Sequence, residues 1–211
     1  MGGALPSTHD LATLAIAAVV VGALTAQIAM TFRGRRGSAH ADASIPAVVW
    51  GGWIAAACSI GAALIHLAVI EDHLHEYPPF GVAFALLAVF QLAWPLAYLP
   101  RPSRSLALAA VVVNLGTALV WLWSRTIGLP VGPDPGLAVA LGPADLASTV
   151  LEVMLAIALL PAVLARRHAA SGRGAGERGL QPRTAATIVG ATSGIVAVLT
   201  ALGLFSLVGP I

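Results

Sequence analysis

Imidazoles and carboxylates crowd one stretch of this chain, His66-Leu-Ala-Val-Ile-Glu71-Asp72-His73-Leu-His75-Glu76-Tyr77. On a helix, at about 100° per residue, His66 and His73 fall roughly 20° apart and about 10 Å along the axis, with Tyr77 on the same stripe. Glu76 follows His73 by one turn and stays within its reach, whereas Glu71 and His75 point elsewhere. A second stretch repeats the spacing, with Asp145 and Glu152 seven residues apart and Ser148 and Thr149 between them. If the two helices run antiparallel as neighbours, His73 comes level with Asp145 and His66 with Glu152.

That donor set suits a divalent transition metal (Zn²⁺, Fe²⁺ or Mn²⁺, with Cu²⁺ also accommodated) near the extracytoplasmic face, and the leading expectation is a membrane protein that handles or transports it. His66, His73, Glu76, Asp145 and Glu152 are the expected metal ligands, with Tyr77, Arg125 and Gln91 around them or on a substrate. Soft Cu⁺ is disfavoured because Met30 and Met154 lie away from the cluster. The single cysteine, Cys58, excludes an intrachain disulfide and a multi-thiolate centre. Haem is disfavoured because only His66 lies clearly within an apolar span. No Gly-rich phosphate loop, GxGxxG, GxSxG or CxxC indicates a nucleotide, a flavin or a familiar soluble catalyst.

Other chemistries fit the same residues. Glu152 and His66 can titrate in a proton-coupled carrier of a small solute. A metal-dependent membrane enzyme can use the same cluster, and an accessory subunit can use it to dock on a larger complex or on a second copy. The plainest alternative is structural. His66 then packs through a hydrogen bond, Asp145 stabilises a first helical turn and pairs with Arg125, and Gln91 and Asn114 join helices. Glu152 resists the plain account best, since a carboxylate in hydrocarbon costs at least ~2.5 kcal/mol unless it is protonated, paired or liganding.

The elements that must position these residues are membrane spans. Of 211 residues 58% are hydrophobic and only 9% charged, with a mean hydropathy of +0.90; a soluble domain carries roughly a quarter charged residues. Six stretches reach the ~20 apolar residues a span needs, at about 11–32, 47–70, 80–99, 106–123, 144–164 and 184–208. The expectation is an all-α bundle of about six transmembrane helices in one domain, in the plasma (inner) membrane. The first stretch has no basic residue before it and ends in Arg33, Arg35 and Arg36, which reads as a retained helix and not a signal peptide.

All eleven basic residues are Arg, and ten lie in the connections after the first, third and fifth spans. The positive-inside rule puts those connections in the cytoplasm and both termini outside. Asp10, Glu71, Asp72, Glu76, Asp134 and Asp145 then crowd the outer side with Arg125, an arrangement that draws cations and leaves no nucleic-acid surface. His9 and Asp10 can join that mouth. The Gly- and Pro-rich stretch 124–143 is expected to cap it. Trp94, Trp121 and Trp123 are expected in an outer aromatic belt, Trp50 and Trp53 in an inner one. Gly190 and Gly194 form a GxxxG read as helix packing. The polar residues gather toward the outer end, and the two halves show no inverted repeat of the kind carriers use.

The string His66…His73-x-x-Glu76-Tyr77 followed by Gly81, Phe84 and Gln91, with Arg125-Thr-x-Gly-x-Pro130 and Asp145…Glu152, resembles a pattern in bacterial multi-pass membrane proteins without an assigned function. It spans the second to fifth stretches and implies that these residues act together.

Overall fold

The computed structural model of the chain describes residues 45–164, 179–180 and 182–207. The first expected span, with His9, Asp10 and the Arg33–Arg36 cluster, lies outside the described residues, as does most of the arginine cluster before the last span. The described part is five helices: α1 (Ala47–Glu76), α2 (Pro78–Tyr98), α3 (Arg104–Thr126), α4 (Pro143–Leu164) and α5 (Pro182–Leu207). All five are long and apolar enough to cross a membrane. A two-residue antiparallel bridge, β1 (Ile45–Pro46) with β2 (Gly179–Leu180), sets Ile45 opposite Leu180 and holds the start of α1 beside the start of α5.

Local chemistry explains where the helices stop. Only Tyr77 separates α1 from α2, and it is extended (φ −154°, ψ 98°) because Pro78 disfavours a helical residue before it. Pro78 and Pro79 then open α2, where the missing N–H groups cost nothing. Ser103 caps α3 by accepting the Leu106 N–H at 3.2 Å. The hairpin is tight: a Cβ on Gly81 would sit 2.4 Å from Leu74 Cγ and 2.7 Å from its backbone N. Hence α1 runs through His73 and His75 to Glu76, six residues beyond the expected end at 70.

Packing is turned inside out relative to a soluble bundle. Leu96 is 78% exposed and Leu86 67%, while Gln91 and Asn114 are 0% exposed and Glu152 1%. Water would reverse that order; lipid accepts it, because apolar side chains lose nothing there and every polar group must be satisfied within the protein. The chain is a multi-pass membrane protein. α1 lies at the centre, packed on α2, α4 and α5, and α3 is held on α4. Small residues permit the close approach: Ala55, Ala56, Ala62 and Ala63 are fully buried, and a Cβ on Gly61 would lie 2.5 Å from Thr200 Oγ1 and 3.1 Å from Leu151 Cδ1.

The GxxxG of the last span does not pack on the described helices. Gly190 and Gly194 are exposed, with nothing among the described residues within 4 Å of an added Cβ; α5 buries Val189, Ser193, Val196, Thr200 and Leu204 instead. The larger side chains at these helical intervals fill the space beside α1, so the glycines fall on the opposite face. Trp94 is not in an outer belt either. It lies near the end of α2 that meets α3, buried, stacked on Tyr98 at 4.8 Å and donating Nε1–H to the Leu106 carbonyl at 2.9 Å.

Gly61→Leu should lower the unfolding free energy in mild detergent by about 1–3 kcal/mol, the usual range for overpacking. Gly116→Leu, whose site has nothing within 4 Å among the described residues, should change it by less than about 0.5 kcal/mol. Chemical unfolding of the two variants followed by helix content checks this, and equal effects would contradict the close packing of α1 on α5.

Candidate functional site

Four helices each send one polar side chain to the same buried point. His66 of α1 places Nε2 at 3.1 Å from Oε1 of Glu152 on α4, both residues almost wholly buried. Gln91 of α2 donates Nε2–H to the same Oε1 at 3.2 Å and to Oδ1 of Asn114 on α3 at 3.0 Å. Asn114 in turn donates Nδ2–H to the Ala110 carbonyl at 2.8 Å. Ser59 of α1 donates to the backbone carbonyl of Gln91 at 2.7 Å and fixes the height of α2 against α1.

The direction of this chain of bonds is forced. A carbonyl can only accept, so Asn114 must turn its amide nitrogen to Ala110 and its oxygen to Gln91. Gln91 must then present both N–H groups, one to Asn114 and one to Glu152. The carboxyl therefore meets two fixed neighbours on one oxygen, an amide donor and an imidazole. The Gln91 Oε1 atom is buried with no partner among the described residues, which leaves one acceptor of the network open to a donor.

Depth follows from helix rise. Glu152 lies nine residues into α4 and His66 ten residues before the end of α1, about 14–15 Å from the hairpin end of spans some 33–45 Å long. Gln91 and Asn114 are comparably central in α2 and α3. The site is nearer mid-bundle than the sequence reading placed it, because α1 continues to Glu76.

The remaining expected residues go elsewhere. His73 is partly buried and donates Nδ1–H to the Val69 carbonyl at 2.8 Å. Asp145, expected opposite His73, is held by an ion pair with Arg125. Arg125 lies in the last turn of α3 and Asp145 in the first turn of α4, so the permanent cation of the guanidinium takes the carboxylate. Glu76 is exposed at the last residue of α1. Tyr77 meets Phe80 edge-on at 4.8 Å. Among the described residues no three His, Cys, Asp or Glu side chains converge as a metal-ligand group. Two of the five expected ligands, His66 and Glu152, come together; Gln91 joins them directly, and Asn114 extends the set.

Phe84 was not among the candidate site residues. Its ring stacks on His66 with centroids 5.3 Å apart and lies 4.5 Å from the ring of His73. Only the resemblance singles it out, because a phenylalanine in an apolar span carries no chemical signal of such a place. The segment after α3 closes over the same end of the bundle: Gly128, Gly132 and Gly136 take positive φ, and Gly132 packs on the Phe80 ring.

Comparison of the chain with protein-family models, curated proteins and solved structures finds no match, so the reading of the site rests on its own geometry.

Asn114→Leu should destabilise the fold by about 1–3 kcal/mol, because it strands a buried Gln91 N–H. Adding Gln91→Leu should cost less than the sum of the two single changes. Equilibrium unfolding of the four proteins in micelles measures the coupling, and strict additivity would show that the two amides do not act together.

Proposed function

We propose that this chain is a proton-coupled transporter of a small solute, in which the His66–Glu152 pair gains and loses the proton. One observation carries the reading: a buried imidazole and a buried carboxyl meet at 3.1 Å in the middle of a membrane bundle, and only neutral amides complete the set. Ionisable groups inside a membrane are costly and mark ion or proton paths. Transfer of one proton between the two groups, or its loss from the pair, changes the charge that Gln91 faces without moving a helix. A proton-linked device needs such a local difference between two states.

The arginine-rich connections support an orientation with the hairpin end of α1 and α2 facing outward and the β1–β2 end in the cytoplasm. Glu71, Asp72, Glu76 and Asp134 then lie around the outer mouth, where they raise the local concentration of cations, protons included.

A divalent metal is the second reading. It is favoured by a nitrogen and a carboxylate donor brought together, with the unpartnered Gln91 Oε1 nearby. Among the described residues His66 and Glu152 supply two donors where a closed site uses four, so such a site would need further ligands from beyond them.

Vesicles containing the protein and an internal pH dye should acidify when a potassium diffusion potential drives protons inward, with a chelator present throughout. Glu152→Gln and His66→Ala should slow that flux about 100-fold or more, the usual contribution of a positioned proton-transfer group. Flux equal to that of protein-free vesicles, or unchanged by Glu152→Gln, would refute the proton-linked reading. Metal bound at one per chain and lost in both variants would establish the second reading instead.

A further inference from the structure

The two ends of the bundle approach the His66–Glu152 pair very differently. Toward the β1–β2 end the interior is closed by Ile54, Cys58, Ala62, Leu155 and Leu159, with Trp94 stacked on Tyr98 below them. Toward the hairpin end, the α1 stripe that carries His66 continues through His73 to Tyr77, and both are partly exposed. Polar groups therefore lead from the hairpin end toward the buried pair, interrupted on their stripe by the ring of Phe84. It lies between the two imidazoles, against His66 at 5.3 Å and His73 at 4.5 Å.

We propose that Phe84 is the gate of the buried site, and that His73 is the group that hands protons or water to it from the hairpin end. The gate serves the proton-linked reading but is defined by access alone. The Nδ1–H of His73 is committed to the Val69 carbonyl, so in the neutral ring Nε2 is the free acceptor. The two imidazoles are seven residues apart, about 10 Å along the helix, too far for direct transfer. A water chain has to bridge that gap, and the Phe84 ring excludes it. A side-chain rotation of Phe84 opens the path and needs no helix movement. Phe80, packed on Tyr77 and under Gly132, flanks the hairpin end of the same path.

The test follows exchange of the Gln91 side-chain amide and the His66 ring N–H with deuterated solvent, by NMR of the purified protein in micelles. Phe84→Ala should speed exchange of both about tenfold or more, equivalent to ~1.4 kcal/mol off the barrier. Phe84→Leu should speed it less, and Phe84→Trp should slow it. Backbone amides in the middle of α4 should keep their wild-type rates. Leu155→Ala, which opens a cavity on the closed side of the site, should leave the two side-chain rates unchanged. Unchanged exchange in Phe84→Ala, or equal acceleration by Leu155→Ala, would overturn the gate. Exchange at Gln91 does not require Glu152 to carry a transported proton, so failure of the vesicle flux and failure of the gate are separate results.

Discussion

A carboxyl group nine residues inside a membrane-spanning helix has to be satisfied by protein, and that requirement organises this structure. Insertion of an acidic side chain at the centre of a bilayer costs roughly 2.5–3.5 kcal/mol even on the mildest scale. Glu152 avoids leaving that cost uncompensated only because α1 and α2 bring His66 and Gln91 to the same oxygen. Gln91 in turn needs Asn114 on α3 to hold its amide in the donating orientation. The four helices are thus fixed in relative height and rotation by one connected set of bonds. Their outer faces are left to apolar side chains that lipid holds in no particular register.

The close packing of α1 serves the same end. A central helix rich in Ala and Gly lets α4 and α5 come near enough for a short imidazole–carboxyl contact, which a Leu-lined helix would hold apart. The Tyr77-Pro78-Pro79 turn is tight enough to keep α1 and α2 in register over their full length, and the Ser59 bond to the Gln91 carbonyl pins that register close to the site. Phe84 lies at the edge between buried and exposed groups, against both imidazoles.

Much of this was legible in the sequence, for physical reasons that can be named. Apolar length against helix rise placed all five described helices to within a few residues, apart from α1. There the helix continues past the last apolar residues through the charged run Glu71–Glu76. Equal seven-residue spacings on two antiparallel helices brought His66 to Glu152. The same spacing failed to bring His73 to Asp145, because spacing carries no information about competing partners and Arg125 captured the aspartate. Gln91 and Asn114 stood out as amides inside apolar spans, but their joint attachment to Glu152 depends on the rotation of α2 and α3, which only packing decides. Gly190 and Gly194 face away from the described helices, and Phe84 meets both imidazoles although its side chain has no chemistry of its own to announce it.

The central claim is the contact between His66 and Glu152 in the bilayer. Solid-state NMR of the protein in lipid membranes, with ¹³C-labelled glutamate and ¹⁵N-labelled histidine, reads it directly. A through-space correlation should link the Glu152 carboxyl carbon to His66 Nε2, as the 3.1 Å separation of Nε2 and Oε1 requires, and Glu152→Gln should identify the carboxyl signal by removing it. A Glu152 carboxyl that shows no such correlation, and behaves like the water-exposed Glu71 and Glu76, would contradict the contact and with it the functional reading of the site.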